Sequence, residues 1–262
     1  MDNNRKTYII ANWKMNFTPG EASLYLNKLA NRYQPVRKVQ AILAPGMVSL
    51  QTLSLQINRR QFKLAAQNCH WQDYGSYTGE VSPTQIRSFV DYVIIGHSER
   101  RYVFNETDKI IAQKVAAAIR NGLTPILCIG ETELERRDGE TKAAIYDQLA
   151  AGLSQVSAED VDKVIIAYEP VWAISSNKGA KPASPLDIEE AQKLIRKHIA
   201  RRYDAQTAEN ISILYGGSVN KDTAAGYLSI DGIDGLLVGN ASLIADQFCA
   251  ILEIAKGVKN ER

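Results

Sequence analysis

Three side chains that could move a proton or hold a charge stand where short apolar runs give way to polar residues. Glu169, His97 and Lys14 each follow such a run within a few residues, and Asn12 lies just before Lys14. A carboxylate base, an imidazole and a fixed cation suit the removal of a proton beside a carbonyl group. Each of them alone is more often a structural or solvated side chain, so this hypothesis depends on the fold bringing them together.

Two glycine-bearing stretches near the end of the chain suggest a site for an anion. Residues 216–218 read Gly-Gly-Ser, and residues 239–242 read Gly-Asn-Ala-Ser. Backbone N–H groups can approach a phosphate where no side chain obstructs them, and a short helix beginning near Asn240 would add its positive end. The alternative is a pair of ordinary tight turns. The glycine and catalytic motifs typical of dinucleotide, nucleoside-triphosphate, zinc-protease and serine-hydrolase sites are absent from the sequence.

Eight short apolar runs divide the sequence, and helix-like stretches separate them. Most runs are continuous rather than alternating, which is typical of strands buried on both faces of a parallel sheet. Their starts lie between 23 and 47 residues apart, a spacing that fits repeated strand–helix–strand units. The runs are residues 8–10, 41–43, 64–66, 92–95, 125–129, 164–167, 211–214 and 236–238.

Helix-start signals lie between these runs. Thr18 and Ser82 are each followed by a proline and, at the third position, by a glutamate or a glutamine. Ser184 and Pro185 form a looser version of the same start, and the residues from 188 to 199 then place their apolar side chains on one helical face.

The chain is therefore predicted to be an α/β protein, a single domain over residues 1–262 that forms a (β/α)8 barrel of eight parallel strands surrounded by helices. An open doubly wound sheet is the alternative, because a strand count does not prove closure. In a barrel the carboxyl ends of all strands meet at one face, where such proteins place their chemistry. Glu169, His97, Lys14 and both glycine stretches would converge on that face.

Composition excludes several classes of function. The 262 residues include 31 Lys and Arg and 29 Asp and Glu, and the sequence has no long basic block. We therefore expect that the protein binds neither nucleic acid nor a membrane surface through a polybasic segment. No apolar stretch approaches a secretory signal or a bilayer span, so we expect a cytoplasmic protein. The 3 cysteines and 3 histidines lack ligand or disulfide spacing, so we expect reduced cysteines and no metal.

Five stretches of the sequence resemble the triosephosphate isomerase family. The family's motifs correspond to residues 11–16, 77–80, 96–101, 167–174 and 215–220. They occur in the family's order and span nearly the whole chain, so the resemblance is more specific than any single glycine pattern. It implies a TIM barrel that interconverts dihydroxyacetone phosphate and D-glyceraldehyde 3-phosphate through an enediolate, in glycolysis and gluconeogenesis, without a cofactor.

The resemblance also assigns roles to the residues that match the motifs. It implies that Glu169 is the base and that His97 polarises the substrate oxygens as a neutral imidazole. It implies that Lys14 supplies positive charge to the developing oxyanion and to the phosphate, and that Asn12 makes a polar contact. Glu99 is expected to pair with Lys14.

Substrate binding and packing roles carry over in the same way. The resemblance implies that Cys128 packs under the site rather than acting as a nucleophile. The residues expected to bind the substrate or its phosphate are Asn12, Lys14, Ser175, Ser218, Gly239 and Asn240.

A lid over the site is also implied by the resemblance, with its leading hinge at residues 170–172. Its expected members are Pro170, Val171, Trp172, Ala173, Ile174, Ser175, Ser176 and Asn177. The sequence departs from the family here, because Ser175-Ser176-Asn177 replaces Gly-Thr-Gly and the segment before the next helix is several residues longer. Asn240 replaces a second family glycine, and we expect it to cap the short helix while its N–H still faces the anion.

Thr78 lies in a loop that reaches the partner subunit in this family, so a homodimer is expected. Two other functions remain open on the residues alone. One is another phosphate-binding barrel isomerase, which would need a different acid–base pair, and the other is a catalytically silent barrel with a binding role. An assay that converts glyceraldehyde 3-phosphate discriminates among all three.

Overall fold

The eight apolar runs form eight parallel strands that close on themselves. The computed structural model describes residues 5–174 and 181–258. Each strand pairs with the next one along the chain, and the first pairs with the last through Tyr8 opposite Gly235, so the sheet has no open edge. The strands are β1 (Thr7–Asn12), β2 (Val39–Ala44), β3 (Lys63–Ala66), β4 (Tyr92–Ile95), β5 (Thr124–Ile129), β6 (Ile165–Tyr168), β7 (Ser212–Tyr215) and β8 (Gly235–Val238).

Helices alternate with these strands and surround the barrel, so the predicted fold class is confirmed. In the described residues they are α1 (Pro19–Ala30), α2 (Leu50–Gln56), α3 (Pro83–Ile86), α4 (Ser98–Tyr102), α5 (Asp108–Arg120), α6 (Glu133–Arg137), α7 (Thr141–Gly152), α8 (Pro185–Arg202), α9 (Ala205–Asn210), α10 (Ala224–Leu228) and α11 (Ala245–Val258). None of these helices combines the length and the apolar character that crossing a bilayer requires.

The strands are buried on both faces because the core has two layers. Inside the barrel, Ile10, Ile42, Ile94 and Ile126 pack together in one cluster. The neighbouring side chains of the same strands point outward and pack against the helices in a second, larger cluster. Continuous apolar runs in the sequence are the consequence of this arrangement.

All three predicted helix starts follow the predicted capping chemistry. The Thr18 side chain accepts from the Glu21 N–H at 3.4 Å, and the Glu21 carboxylate accepts from the Thr18 N–H at 2.8 Å. Ser184 and Asp187 form the same reciprocal pair at the start of α8, with the Ser184 N–H at 2.9 Å from the carboxylate. The third predicted start has the same kind of pair, since the Ser82 N–H donates to Gln85 Oε1 at 2.9 Å, and it begins the short helix α3.

Candidate active site

Glu169 lies at the carboxyl end of β6 and points into the mouth of the barrel. Its N–H donates to the carbonyl of Ile129 at 2.7 Å, which continues the pairing of β5 and β6 by one residue beyond the strand. The side chain is buried, since the residue is 2% exposed. Gly216 on the neighbouring strand end makes room for it, because a Cβ at Gly216 would lie 2.8 Å from Glu169 Cγ.

His97 faces this carboxylate from the end of β4. Its Nε2 lies 3.3 Å from Glu169 Oε1, and both side chains are buried. Its Nδ1 accepts a hydrogen bond from the Glu99 N–H at 3.2 Å, at the start of α4. Because Nδ1 is used as an acceptor, the proton of a neutral ring lies on Nε2, the nitrogen that faces the mouth.

Lys14 reaches the same mouth from the end of β1. Its Nζ is 2.7 Å from Glu99 Oε1, which is the ion pair expected from the sequence. The backbone at Lys14 has a φ of 52°, an unusual conformation for a residue with a long side chain. Asn12 Oδ1 accepts from the Lys14 N–H at 3.1 Å, and Gln67 Nε2 donates to the Lys14 carbonyl at 2.8 Å, so local hydrogen bonds hold this conformation.

Cys128 lies beneath Glu169 and is fully buried. Burial and the nearby Glu169 carboxylate raise the pKa of the Cys128 thiol well above its usual value. A neutral thiol is a poor nucleophile, so the structure favours packing for this residue. All three cysteines are free thiols.

One pocket brings most of the predicted site together. Asn12, Lys14, His97, Glu169 and Gly239 all line it, and Gly216 and Gly217 supply part of its wall. Within the described residues, no group of three or more His, Cys, Asp or Glu side chains is arranged to hold a metal ion.

The remaining phosphate-binding candidates are placed differently. The Ser218 N–H donates to the Ala173 carbonyl at 3.0 Å, so an anion could use that N–H only after this contact opens. Asn240, the predicted cap residue, is exposed and is instead the first residue of a short 3₁₀ turn. The residue before it, Gly239, occupies the cap position. The backbone of Gly239 is not helical, since its ψ is −111°.

The leading hinge expected for the lid, residues 170–172, overlaps a short 3₁₀ turn, Val171–Ala173. Ile174 follows it and lines the pocket. The expected lid residues Ser175, Ser176 and Asn177 lie outside the described residues.

A buried carboxylate beside this turn was not assigned a role from the sequence. Glu131 accepts from Trp172 Nε1 at 2.8 Å and from the Tyr168 hydroxyl at 3.1 Å. Burial raises the pKa of Glu131, while these hydrogen bonds and the charge of Arg136 act in the opposite direction. Arg136 stacks on the Trp172 ring at 4.1 Å and pairs with Asp187 at 2.7 Å. The position of Glu131, two residues after the end of β5, is the signal in the sequence that points to it.

A second buried charge network supports the loops after β3 and β4. Lys114 in α5 is buried, donates to Glu106 and also donates to Asn68 Oδ1 at 2.8 Å. Arg100 Nε donates to the same Glu106 carboxylate at 2.6 Å. The signal in the sequence was Lys114 itself, which lies among the apolar residues of α5 that face the barrel.

The closed barrel, with a carboxylate, an imidazole and an ammonium group meeting at its carboxyl-terminal face, defines a (β/α)8-barrel enzyme of the acid–base type. A family model described as "Triosephosphate isomerase" matches residues 7–255. The chain therefore belongs to the triosephosphate isomerase family.

Individual relatives agree with this assignment. A triosephosphate isomerase of Caldanaerobacter subterraneus subsp. tengcongensis is 42% identical over 249 residues, which cover 95% of this chain and 99% of the relative. One from Geotalea uraniireducens is 42% identical over 253 residues, or 96% and 100% of the two chains. One from Streptococcus mutans is 40% identical over 253 residues, or 96% and 99%.

Proposed function

We propose that this protein interconverts dihydroxyacetone phosphate and D-glyceraldehyde 3-phosphate. The observation that carries the proposal is the meeting of Glu169 and His97 Nε2 at 3.3 Å beside Lys14, in a pocket walled by glycines. The family assignment supports the same reaction. Because these triose phosphates belong to glycolysis and gluconeogenesis, we also propose a cytoplasmic location, which cell fractionation tests.

Proton transfer is assigned to the buried pair. The Glu169 carboxylate removes a proton from carbon 1 of dihydroxyacetone phosphate, and the electron pair of that C–H bond forms the C1–C2 double bond. The carbonyl oxygen gains the negative charge and accepts a hydrogen bond from His97 Nε2. Proton exchange between the two oxygens through His97 and return of the Glu169 proton to carbon 2 give the aldehyde.

Charge stabilisation is assigned to Lys14 and to backbone N–H groups. The Lys14 ammonium, fixed by Glu99, stabilises the enediolate oxygen and the phosphate. Gly239 borders the pocket without a side chain, which leaves its backbone open to the phosphate. We propose that Ser218, Ser175 and Asn240 contribute N–H groups and that Asn12 makes a polar contact.

Replacing Glu169 by aspartate tests the assignment of the base. The shorter side chain withdraws the carboxylate by about 1 Å, and a displacement of that size costs about a hundredfold in turnover. We expect the wild type to convert glyceraldehyde 3-phosphate in a coupled assay and Glu169→Asp to lose about that factor in kcat, with KM changed far less. An inactive wild type would overturn the function, and an unimpaired variant would overturn the role of Glu169.

A lid comprising residues 170–177 is proposed to exclude water from the enediolate, which otherwise loses phosphate by elimination. Residues 170–172, which overlap the Val171–Ala173 turn, form its leading hinge in this proposal. Deleting residues 175–177 is expected to lower turnover strongly and to release methylglyoxal. Unchanged turnover without methylglyoxal would remove the lid from the mechanism.

We propose that two copies of the chain assemble as a homodimer in which Thr78 of each copy approaches Asn12 of the other. The support is an apolar surface beside the site, where Met15 is 99% exposed and Phe104 is 62% exposed. A cavity of about 400 Å³ lies between these residues and Lys14. Sedimentation at assay concentration is expected to give a dimer, and a fully active monomer would contradict the proposal.

A further inference from the structure

The loop that carries Thr78 is exposed from Tyr74 to Glu80, and Asp73, just before this exposed stretch, joins the loop to two helices. This β3–α3 loop, residues 67–82, joins β3 to α3 and exposes Thr78 and Tyr74, the latter 82% exposed. Asp73 directly precedes the exposed stretch, residues 74–80. Beyond it, the loop forms hydrogen bonds with itself, such as that of the Tyr77 N–H to the Gly75 carbonyl at 3.1 Å.

The carboxylate of Asp73 receives three hydrogen bonds from the end of α5. Arg120 donates through Nε at 3.2 Å to one oxygen and through Nη2 at 3.0 Å to the other. Asn121 Nδ2 donates to the second oxygen at 2.8 Å and also donates to the Ala117 carbonyl of its own helix at 2.9 Å. The bidentate geometry fixes the direction of the carboxylate as well as its position.

The backbone around Asp73 is held from two further sides. Arg120 Nη2 also donates to the Trp71 carbonyl at 3.3 Å. Thr84 Oγ1, in α3, donates to the Asp73 carbonyl at 2.9 Å. The carbonyl and carboxylate of one residue therefore join the loop to α3 and α5 together.

Aromatic residues on both sides of Asp73 form a small cluster that gives the loop a defined shape. The His70 ring packs between the rings of Trp71 at 4.0 Å and Tyr77 at 4.3 Å. Gly75 has a φ of 138°, and a Cβ there would lie 2.7 Å from the Tyr77 ring, so the turn requires glycine. A loop with a defined conformation and a fixed attachment presents Thr78 to a partner in one orientation.

We propose that Asp73, Arg120 and Asn121 form a clamp that orders the β3–α3 loop before a second copy of the chain docks, so that they are positioning residues for the complete active site. This inference rests on the proposed homodimer and adds to it the device that presents the loop. A loop that is ordered in the free subunit loses less conformational entropy when it binds, so the clamp increases affinity without touching the partner.

The strength of the clamp follows from its geometry and from its repetition. An isolated surface ion pair contributes little, but bidentate pairs with further donors contribute more. Hydrogen bonds from Arg120 and Asn121 lower the pKa of Asp73, as expected for a carboxylate that is held in its charged form. Each copy contributes one loop to the dimer. If losing the clamp in one loop raises the dissociation constant by a given factor, losing it in both loops raises the constant by the square of that factor.

The first test measures assembly in Asp73→Asn. The substitution keeps the shape of the side chain and removes its charge, and we expect the dimer dissociation constant in sedimentation to rise by about tenfold. At protein concentrations where the variant is fully dimeric, kcat and KM should equal those of the wild type. The exchange Asp73→Arg with Arg120→Asp should recover part of the affinity.

The matched control is Asp160→Asn, which breaks the exposed pair of Asp160 and Lys163, 2.6 Å apart and outside the β3–α3 loop. It should leave the dissociation constant unchanged. An equal rise in this control, or no rise in Asp73→Asn, would overturn the clamp.

A second measurement reports on the loop without requiring a dimer. Chymotrypsin cleaves after exposed aromatic residues in mobile segments, and Tyr74 offers such a site. Under dilution that dissociates the wild type, Asp73→Asn should be cleaved there several times faster than the wild type or Asp160→Asn. Equal cleavage rates would overturn the clamp itself, whereas a wild type that is monomeric at every concentration would overturn the homodimer proposal and, with it, the role of the clamp in docking.

Discussion

At the scale of single residues, Gly216 shows how closely the site is packed around its base. A methyl group at Gly216 would lie 2.8 Å from Glu169 Cγ and 3.3 Å from Glu169 Oε1. We expect Gly216→Ala to push the carboxylate away from its position, and a shift of about 1 Å lowers kcat by about a hundredfold. Steady-state kinetics with glyceraldehyde 3-phosphate measure this loss.

Gly226→Ala is the matched control for that substitution. Gly226 lies in α10, and a Cβ there meets no atom within 4 Å. Alanine in a helix is favoured over glycine by about 0.5–1 kcal/mol, so this variant should be slightly more stable and fully active. Equal activity of the two variants would show that Gly216 does not hold Glu169 in place.

Asn240 is a second residue with a measurable consequence. Its exposure at the start of a 3₁₀ turn leaves its side chain room to lie outside the phosphate position. We therefore expect Asn240→Gly to change the affinity for a substrate analogue by less than about tenfold, equivalent to roughly 1.4 kcal/mol. Calorimetric titration with glycerol 3-phosphate measures it, and a larger gain would identify the asparagine as an obstruction.

Sequence reasoning found the residues that meet at the mouth but not the groups that support them. Glu169, His97 and Lys14 were visible because each follows an apolar run, and a barrel places all such positions on one face. Arg136 was not visible, since its partners Trp172 and Asp187 lie far away in the sequence and an arginine on a short helix resembles any surface residue. Such pairings depend on three-dimensional packing that no local pattern encodes.

At the scale of elements, strand positions were predictable and their ends were less so. The run at residues 92–95 coincides with β4, whereas β1 and β2 extend beyond the predicted runs at both ends. The residues missed include polar ones such as Thr7 and Asn12, and they join the strands through pairing with neighbouring strands. The ends of the strands therefore depend on the register in which neighbouring strands pair, and this register is a property of the tertiary structure.

The contact between α7 and α8 predicts a pH dependence of stability. His198 in α8 packs against the Tyr146 ring at 4.9 Å, and burial, with the charges of Arg202 and Arg201, lowers its pKa. The folded protein therefore favours the neutral ring. As the pH falls below about 6.5, the unfolded chain takes up a proton at His198 before the folded protein does, so the free energy of unfolding decreases.

Urea unfolding of the wild type and of His198→Gln at pH 7.5 and pH 5.5 measures this effect. The wild type should lose more free energy of unfolding than the variant between the two pH values. His70 and His97 are present in both proteins, so the difference isolates His198. Identical losses would show that this histidine is not coupled to folding.

At the scale of the whole molecule, closure of the barrel is what turns scattered residues into one site. The sequence alone left an open sheet as an alternative, because the pairing of Tyr8 with Gly235 joins segments from the two ends of the chain. The resemblance to a known family favoured closure, and the structure confirms it.

An anionic ligand held at this face should stabilise the whole fold. Binding to the folded state alone adds about 2.7 kcal/mol at a ligand concentration one hundred times the Kd, which corresponds to a rise in Tm of roughly 5–10 °C. Glycerol 3-phosphate should produce this rise in calorimetry, and glycerol, its control, should not. A rise in Tm with glycerol, or no rise in Tm with either compound, would argue against a site for the phosphate.

The pairing of β1 with β8 also bears on how the protein is made. Until β8 has been synthesised and has paired, β1 and β7 are two unsatisfied sheet edges, with amide and carbonyl groups that can recruit strands from other nascent chains. A truncation before Gly235 leaves that exposure permanent. Premature termination before β8 should therefore produce insoluble aggregates rather than a shortened enzyme.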